Sequence, residues 1–508
     1  MTREPPAGRT GGSDSERDAG DPVALYLEAR RYIDVEVVRL TPRNSTPDRK
    51  LAAVFEFNQR LGNPQARFPS VQVAGTSGKG STAHALACIL SAAGFKTGLH
   101  VSPYLQVATE KTWVDGLYAS AAAFHTAYRA VRPTAEEFRF RDDCGASVHG
   151  MASLGLTYKA FEAEGIDWAV METGLGGRFD LVQGLDRKLS VITDIGFDHM
   201  ESLGHDLQSI AWHKAGIMAG AAQALVVRDP QTWPVFEREA AAFGTPLFPV
   251  DPDAILAHTQ RGTVLRLPFL GDIDLGIDLG TEGLAGAGRA GARAMGTEGL
   301  AGAGRAGARA RAPGAEGGVR GFPLRNMAVA AMAADRLAKS GVRVTGEHVA
   351  RGLSMPLMPG RLEVVGRCPL TILDGAHNPQ KMGALARSLP RVSGRLLLVC
   401  GLSGHREGPE ILAALGRRPD RVFTTQATLY GKKVADACEL ADALASAGHR
   451  ATALPRPPDA VGAALNEARP DDLVLCTGSI YLLGEIRSVF YPWQDVLVSR
   501  SSYPCPGK

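Results

Sequence analysis

Residues 71–82, with the sequence VQVAGTSGKGST, constrain the fold of this chain more than any other stretch. The apolar residues 71–74 predict a short buried strand, and the Ala- and Leu-rich residues 81–93 predict a helix. A glycine-rich turn between a strand and a helix lets backbone N–H groups and the helix N-terminus converge on an anion. We therefore expect the turn to bind phosphate, with Lys79 adding a full charge and Ser81 a hydroxyl for Mg²⁺.

The turn departs from the usual phosphate-loop pattern, G-x-x-x-x-G-K-[ST]. Val73 stands where that pattern has its first glycine, and Gly80 separates Lys79 from Ser81. An ordinary strand-to-helix turn with a surface lysine would explain the glycines alone. The strand, the lysine and the hydroxyl taken together favour a phosphate site.

Short apolar strands alternate with helical patterns from residue 71 to residue 227. This alternation predicts an α/β fold with a doubly wound, mostly parallel sheet. Polar turns follow three of the predicted strands, after Ala74, Val170 and Thr193. Because the carboxyl ends of parallel strands meet at one edge of a sheet, we expect these turns to lie together.

Three side chains near these turns are candidates for chemistry. Glu172 ends one strand, His199 follows another, and Lys214 lies on a predicted helix. A carboxylate and an imidazole beside the Ser81 hydroxyl would make a Mg²⁺ site, although imidazole is an unusual ligand for so hard an ion. Taken singly, each residue has a structural explanation: pairing of Glu172 with Arg178, a capped turn at His199, and a surface position for Lys214.

A second alternation of strands and helices begins near residue 358, after the prolines at 356 and 359. It predicts a smaller, Rossmann-like α/β domain. The turn DGAHNP, 374–379, follows an apolar strand there. Asp374 and His377 would bind a ribose or a phosphate, or act as acid–base groups. A turn closed by the aspartate side chain and Pro379 is the structural alternative.

We divide the chain by composition and pattern. Residues 22–357 form the first, phosphate-binding domain and 358–490 the second, with a disordered leader at 1–21 and a tail without clear signal at 491–508. The segment TEGLAGAGRAGARA occurs at 281–294 and again at 297–310. With almost no large apolar side chain to bury, residues 280–318 are interpreted as a flexible Gly/Ala/Arg-rich insertion, or alternatively as a basic contact surface.

Composition excludes several classes of protein. The net charge is +3, from 56 basic and 53 acidic residues among 508, which does not indicate a nucleic-acid partner. There is no apolar run of about 18 residues, so we expect no membrane span. The polar N-terminus does not resemble a signal peptide. The seven cysteines are scattered without a CxxC pair, which favours free thiols and a cytoplasmic location.

Eight motifs in this order resemble the folylpolyglutamate synthase/dihydrofolate synthase family, which belongs to the Mur-ligase type of ATP-dependent amide-forming enzymes. They span most of the chain. The motifs are LGNPQ at 61–65, AGTSGKGST at 74–82, SPYL at 102–105, ETGLGGRFD at 172–180, DIGFDH at 194–199, HKAGI at 213–217, PGR at 359–361 and DGAHNP at 374–379.

The resemblance implies a reaction in two steps. ATP phosphorylates a carboxylate of the acceptor, and the amine of L-glutamate attacks the resulting acyl phosphate to give an amide, ADP and phosphate. The implied acceptor is a folate-type acid, either dihydropteroate or a tetrahydrofolyl-polyglutamate. A Mur-like ligase acting on a different carboxylate is the alternative. A nucleotide-binding switch without ligation is disfavoured, because it would not need the DGAHNP turn.

The resemblance also implies roles for individual residues. Catalytic roles fall to Lys79, Glu172, His199, Lys214 and His377. The implied Mg²⁺ ligands are Ser81, Glu172 and His199, and Lys214 is implied to be carbamylated; K⁺ is a further expected cation. We expect a monomer with only small-molecule partners. The implied nucleotide contacts are Gly75, Thr76, Ser77, Gly78, Lys79, Gly80, Ser81, Thr82, Asn326, Arg361 and Asp374.

The chain departs from the family pattern mostly at positions that the resemblance places around the pterin or the adenine rather than in the phosphate and metal core. Ser77 replaces an asparagine, Tyr104 a histidine, Lys111 an arginine and Pro323 a glutamine, and Gly150-Met151 replaces a Phe-Glu pair. The ATP chemistry is therefore better supported by the sequence than the identity of the acceptor.

Overall fold

A computed structural model describes residues 21–37, 45–141, 144–259, 262–275, 322–402, 407–428 and 434–504. The leader predicted at 1–21, apart from Asp21, and the insertion predicted at 280–318 lie outside the described residues. The described strands fall into three sheets of eight, three and six strands. None of the described helices is long and apolar enough to cross a membrane.

The first sheet has the order β4-β3-β2-β5-β1-β6-β7-β8. All neighbouring pairs from β2 to β8 are parallel, and only β3 and β4 add antiparallel pairing at one edge. The predicted mostly parallel α/β sheet is therefore confirmed. The strands are β1 Pro69–Ala74, β2 Thr97–His100, β3 Thr112–Val114, β4 Leu117–Tyr118, β5 Trp168–Glu172, β6 Asp186–Ile192, β7 Ala224–Val227 and β8 Leu247–Val250.

Helices cover both faces of this sheet because its central strands are apolar on both sides. The helix after the phosphate turn, α3, begins at Lys79 with Gly78 as its N-cap, and α5 ends at Gly165 in the left-handed conformation. A π-helical turn, Tyr32–Glu36, extends α1. The helices are α1 Pro22–Arg31, α2 Pro47–Arg60, α3 Lys79–Ala92, α4 Ala121–Arg139, α5 Val148–Glu164, α6 Met200–Leu203, α7 Leu207–Ala215, α8 Trp233–Phe243, α9 Phe322–Lys339 and α10 Gly346–Leu353.

The first half also contains an edge hairpin and a second sheet. The β3–β4 hairpin turns at Asp115 and Gly116, which both have positive φ. A separate antiparallel sheet was not predicted at all. Its strands are β9 Leu256–Thr259, β10 Gly262–Leu267 and β11 Gly271–Asp274. The buried Asp335 of α9 accepts the backbone N–H groups of Phe269 and Leu270 and so fixes this sheet to the first domain.

The six-stranded sheet has the order β12-β13-β17-β14-β15-β16, and only the β12–β13 pair is antiparallel. Helices pack on both of its faces, as expected for a Rossmann-like unit. The strands are β12 Glu363–Arg367, β13 Leu370–Asp374, β14 Leu396–Cys400, β15 Arg421–Thr424, β16 Ala451–Ala453 and β17 Leu473–Thr477. The helices are α11 Pro379–Ser388, α12 Gly408–Ala413, α13 Ala437–Ser446, α14 Pro457–Glu467 and α15 Ile480–Arg487.

The chain after residue 490 is not a separate tail. Residues Trp493–Ser499 form α16, whose Val496 and Leu497 are fully buried in the core of the first domain. The Trp493 ring lies 5.8 Å from the ring of Tyr26 on α1. A seven-residue helix is too short for its periodicity to stand out in the sequence.

A buried ion pair joins the two ends of the second domain. Arg487, at the end of α15, donates to Glu363, at the start of β12, with a closest distance of 2.8 Å, and both side chains are at most 3% exposed. The Arg487 guanidinium also donates to Gln106 of the first domain. Gln106 in turn donates to the backbone carbonyl of Tyr491 at 2.7 Å. The chain segments that enter and leave the second domain are therefore both held at Gln106 of the first domain.

Truncating Leu497 to alanine should destabilise the first domain although the residue lies in the predicted tail. We expect a loss of about 2–4 kcal/mol in the free energy of unfolding, because the change leaves a cavity in a packed core. Urea denaturation would measure the loss. The neighbouring Val498 is 61% exposed, so Val498→Ala should cost less than about 0.5 kcal/mol. Similar losses in the two variants would contradict the packing of α16.

Candidate active site

The predicted polar turns lie side by side. Strand β1 pairs in parallel with β5 on one side and with β6 on the other. The turn that follows β1 is therefore flanked by Glu172 at the end of β5 and by residues 193–199 after β6. This confirms the expectation that the three turns meet at the carboxyl edge of the sheet.

Close contacts explain the three glycines of the phosphate turn. Gly75 and Gly78 have φ values of +149° and +82°. A Cβ atom at Gly75 would lie 1.8 Å from Oγ1 of Thr193, and one at Gly78 would lie 2.2 Å from Oδ1 of Asn326. A Cβ atom at Gly80, the residue that breaks the usual pattern, would lie 3.1 Å from Oε2 of Glu172. The extra glycine thus lets the first turn of α3 approach the carboxylate.

The threonine of the turn anchors it to the β6 side. Thr76 donates its N–H to the carbonyl of Asp194 at 2.8 Å, and its hydroxyl exchanges hydrogen bonds with the backbone of Gly196 at 3.0 Å. The Thr193 hydroxyl donates to the carbonyl of Ser77 at 2.6 Å. Thr76, expected from the family resemblance to contact the nucleotide, therefore uses both its backbone donor and its hydroxyl to hold the loop.

Two buried polar atoms at the turn, Oγ of Ser77 and Nδ2 of Asn326, have no hydrogen-bond partner among the described residues. A buried donor or acceptor left without a partner costs about 1–3 kcal/mol. Ser77 lies in the turn and Asn326 packs against it, so a polar ligand bound there would restore the missing hydrogen bonds. These residues therefore fit a phosphate-bearing nucleotide.

Glu172 is the buried carboxylate beside the phosphate turn. It is 6% exposed and accepts a hydrogen bond from the N–H of Ser102 at 3.0 Å. Burial raises its pKa, while the charges of Lys79 and Arg361 oppose that shift. The pairing with Arg178 that the sequence allowed does not form, since Arg178 pairs with Glu239 and lies over the Trp212 ring.

The donor set suits Mg²⁺ better than a softer metal. Glu172 and the Ser81 hydroxyl supply oxygen atoms beside a phosphate turn, and Mg²⁺ commonly binds one or two protein oxygens together with substrate phosphates. No group of three or more His, Cys, Asp or Glu side chains in the described parts of the chain is placed to hold a metal by itself. His199 therefore stays a predicted ligand.

His199 occupies an unusual backbone position. It has a φ of +52° and precedes α6, yet its side chain makes no capping hydrogen bond. The capped-turn explanation is therefore not supported. Partial burial lowers its pKa, and the charges of Lys381, Lys79 and Lys214 lower it further against the opposing effect of Asp198. A neutral imidazole held near several cations is able to serve as a ligand.

Lys214 is buried, contrary to the default expectation of a surface lysine. It is 4% exposed and donates to the carbonyl of Gly75 at 2.8 Å. Burial, followed by the charge of Lys79, lowers its pKa to about 7. A large share of this amine is consequently uncharged near neutral pH.

The DGAHNP turn of the second domain faces the first domain. Asp374 accepts the N–H groups of Leu362 and Ala376, each at 2.9 Å, which supports the structural explanation of a side-chain-closed turn. His377 hydrogen-bonds through Nδ1 to the carbonyl of Gly375 at 2.8 Å. Burial lowers the pKa of His377 to about 4. We assign it as a neutral ring with the proton on Nδ1.

Sequence reasoning missed Lys381. Its ammonium donates to Asp198 Oδ2 at 2.8 Å and lies 3.1 Å from Nε2 of His377. In the sequence it stands four residues after His377, but His377 precedes helix α11, so helical spacing alone did not bring the two side chains together. Its partner in the first domain could not be read from the sequence.

A cavity opens between the phosphate helix, α9 and the link to the second domain. Asn326 and Arg361 reach it, so two of the predicted nucleotide contacts border one space. Its remaining walls are largely apolar. The lining includes Ser81, His84, Pro323, Met327, Leu357 and Met358.

A second polar cluster lies beyond Glu172, on the other side of the 102–105 loop. Tyr104 donates to Asp34 at 3.2 Å, and the same carboxylate pairs with Arg30 at 3.3 Å and lies 3.6 Å from His149. Asp34 belongs to the π-helical turn, a distortion often found at functional sites. One departure from the family pattern, Tyr104, therefore contacts this carboxylate, and His149, which also contacts it, directly precedes the departure at Gly150-Met151.

Comparison with known proteins agrees with both halves of the chain. The sequence model of the Mur ligase middle domain matches residues 73–246, and that of the Mur ligase glutamate ligase domain matches residues 360–480. A curated Mycobacterium tuberculosis protein described as dihydrofolate synthase/folylpolyglutamate synthase is 28% identical over 507 residues, covering 92% of this chain and 95% of that protein.

Two further proteins resemble the chain over most of its length. A Halobacterium salinarum protein described as a probable bifunctional folylpolyglutamate synthase/dihydropteroate synthase is 30% identical over 91% of this chain, but the chain spans only 51% of that longer relative. A Yersinia pestis folylpolyglutamate synthase/dihydrofolate synthase, solved with AMPPNP and a Mn ion, superposes with a TM-score of 0.67 at 26% identity. That match covers 92% of this chain and 98% of that one.

Gly78→Ala should weaken ADP binding by at least about tenfold, because the new Cβ would collide with Asn326 and distort the turn that is predicted to hold the phosphates. Gly94→Ala is the matched control. Gly94 has a φ of +88°, and a Cβ atom there would meet nothing within 4 Å, so this variant carries the same backbone strain without the collision. Isothermal titration with ADP should separate the two; equal affinities would contradict the assigned contact.

Proposed function

Because the chain belongs to the folylpolyglutamate synthase/dihydrofolate synthase family of Mur-type ligases, we propose that it joins L-glutamate to a folate-type carboxylate with cleavage of ATP. The observation that carries this proposal is the meeting of a phosphate turn, a buried carboxylate and a buried lysine with the DGAHNP turn of the second domain. A protein that only bound a nucleotide would not need the DGAHNP turn of a second domain beside the phosphate turn.

The chemistry requires an activated carboxyl group. An acceptor carboxylate oxygen attacks the γ-phosphorus of ATP, and the bond to the bridging oxygen of ADP breaks. The glutamate amine then attacks the acyl carbon, phosphate leaves with the electron pair of the C–O bond, and the amine loses a proton. Such reactions depend mainly on positioning and on neutralising the negative charge of the phosphoryl group.

The residues of the first domain divide these tasks. We assign the phosphates of ATP to the backbone N–H groups of the turn and to Lys79. Glu172 and Ser81 would hold a divalent metal, with His199 at a second metal position; bound there, the metal neutralises phosphate charge. Asn326 and Arg361 would contact the nucleotide through the cavity that they border. K⁺ is a further proposed cation.

Lys214 is proposed to be carbamylated. An uncharged amine attacks CO₂, forms an N–C bond and releases a proton, which turns a cationic side chain into an anionic one. A lysine whose pKa lies at about 7 meets the requirement for an uncharged amine. The resulting carbamate would lie against the phosphate turn, where it would support the bound metal.

The acceptor would enter past the 102–105 loop. Ser102 contacts Glu172, and Tyr104 contacts Asp34 two residues later, so this loop connects the metal carboxylate with the Asp34 cluster. The Asp34 carboxylate, with its arginine, tyrosine and histidine neighbours, is suited to hydrogen-bonding a polar heteroaromatic ring. Because Tyr104 departs from the family pattern here, a Mur-like ligase for a different carboxylate is the second candidate.

The cellular setting belongs to the same proposal. We place the enzyme in the cytoplasm as a monomer that acts on small molecules. Four cysteines are buried free thiols among the described residues, Cys88, Cys144, Cys400 and Cys476. Such thiols suit a reducing compartment.

Purified enzyme with ATP, Mg²⁺ and L-glutamate should release phosphate only when dihydropteroate or tetrahydrofolate is present, and mass spectrometry should show a glutamyl increment. Lys79→Ala and Glu172→Ala should each lower kcat by at least about a thousandfold, since they remove charge stabilisation at the reacting phosphate. Lys188→Ala is the control, because Lys188 is 47% exposed on β6 and pairs with Asp186. No response to either pteroyl acceptor would favour the second candidate.

Carbamylation of Lys214 should depend on pH. Its amine loses a proton as pH rises through about 7, so the carbamate should be present above that pH and disappear below it. NMR after incubation with ¹³C-bicarbonate should show one protected carbamate signal at about pH 8 that fades by about pH 6. The signal should be absent in Lys214→Ala and retained in Lys188→Ala. A signal that survives Lys214→Ala would refute the assignment.

A further inference from the structure

Lys381 connects two loops that belong to different domains. Its ammonium lies 2.8 Å from Asp198 Oδ2, in the loop after β6, and 3.1 Å from His377 Nε2, in the DGAHNP turn. The side chain of Lys381 is 21% exposed and that of Asp198 18%, so the contact is shielded from most solvent. An ion pair in such a place is stronger than one at an open surface.

The hydrogen bonds around Lys381 set the state of His377. Nδ1 of His377 donates to the carbonyl of Gly375, which leaves Nε2 as an acceptor. The ammonium of Lys381 has three N–H donors and no acceptor, so it must donate to that nitrogen. The lysine therefore holds His377 neutral, in one tautomer and in one orientation.

Residues next to Asp198 and Lys381 also bring the loop after β6 into close contact with the start of α11. A Cβ atom at Gly196 would lie 2.0 Å from Oε1 of Gln380, the residue before Lys381. The backbone N–H of Lys381 is itself held by the capping side chain of Asn378 at 2.9 Å. Lys381 thus projects from a fixed helix end onto a loop that carries both Asp198 and His199.

We propose that Lys381 is a positioning residue of the ligase, which holds the Asp198–His199 loop against the DGAHNP turn so that the two domains form one site. This inference rests on the proposed function. The charges of Lys79 and Arg361 lie close enough to lower the pKa of Lys381, after the larger effect of burial. Lys381 therefore also brings a cation from the second domain to the phosphate turn of the first.

The test compares Lys381→Met with Lys381→Arg and Asp198→Asn. Arg387→Met is the matched control, because it removes an exposed cation from the same helix. In Lys381→Met, kcat should fall on the order of 10- to 100-fold through misalignment of the loops, while the KM of the acceptor changes less than about threefold. Lys381→Arg should recover part of the loss. In the double variant with Asp198→Asn the two losses should not multiply, since each breaks the same contact.

A second measurement does not depend on ligase activity. With ADP and Mg²⁺ present, hydrogen–deuterium exchange should rise in residues 194–203 and 374–388 of Lys381→Met, and stay at the wild-type level in Arg387→Met. Unchanged exchange in both segments, multiplicative losses in the double variant, or equal losses in Lys381→Met and Lys381→Arg would overturn the proposal. A wild-type enzyme without pteroyl ligase activity would refute the proposed function instead and leave the exchange result to decide on Lys381.

Discussion

Close backbone approach at the phosphate turn is the constraint on which the rest of this structure depends. Three glycines leave room for atoms of Thr193, Asn326 and Glu172, which come from three different elements. A Cβ atom at Gly75 or Gly78 would collide with Thr193 or Asn326, and one at Gly80 would crowd the carboxylate of Glu172. The turn therefore fixes, at once, the spacing of three sheet strands and the position of the helix that carries the predicted nucleotide contact Asn326.

Several of the charged side chains around the turn are wholly or partly buried. Three like charges, those of Lys79, Lys214 and Lys381, lie near one another. After the larger effect of burial, Lys79 lowers the pKa of both Lys214 and Lys381, and Lys381 lowers that of Lys214. Such an arrangement would be unfavourable without an anion. The carboxylates of buried Glu172 and half-buried Asp198 offset part of this positive charge. Such a site suits a polyphosphate and a metal ion better than a neutral substrate, because both kinds of charge gain a partner when they bind.

The sequence predicted the elements that depend on local pattern and missed those that depend on distant contacts. Strand β1, helix α3 and the common edge of three strands followed from apolar runs and glycine turns. Helix α16 and the β9–β11 sheet did not, since each is short and gains its stability from residues far away in the chain. The contact of Lys381 with Asp198 spans 183 residues. The buried position of Lys214 likewise follows only from the tertiary packing of α7 against the phosphate turn.

The buried pair of Arg487 and Glu363 has a mechanical consequence. The chain passes from the first domain to the second near residue 362 and returns near residue 490, and the pair ties these two crossings together. Two connecting segments placed far apart would restrict rotation of the second domain to the axis that joins them. Two adjacent segments allow rotation in more than one direction about a single point. The second domain is thus attached at one joint, and contacts outside that joint, such as the ion pair between Lys381 and Asp198, help to set its angle to the first.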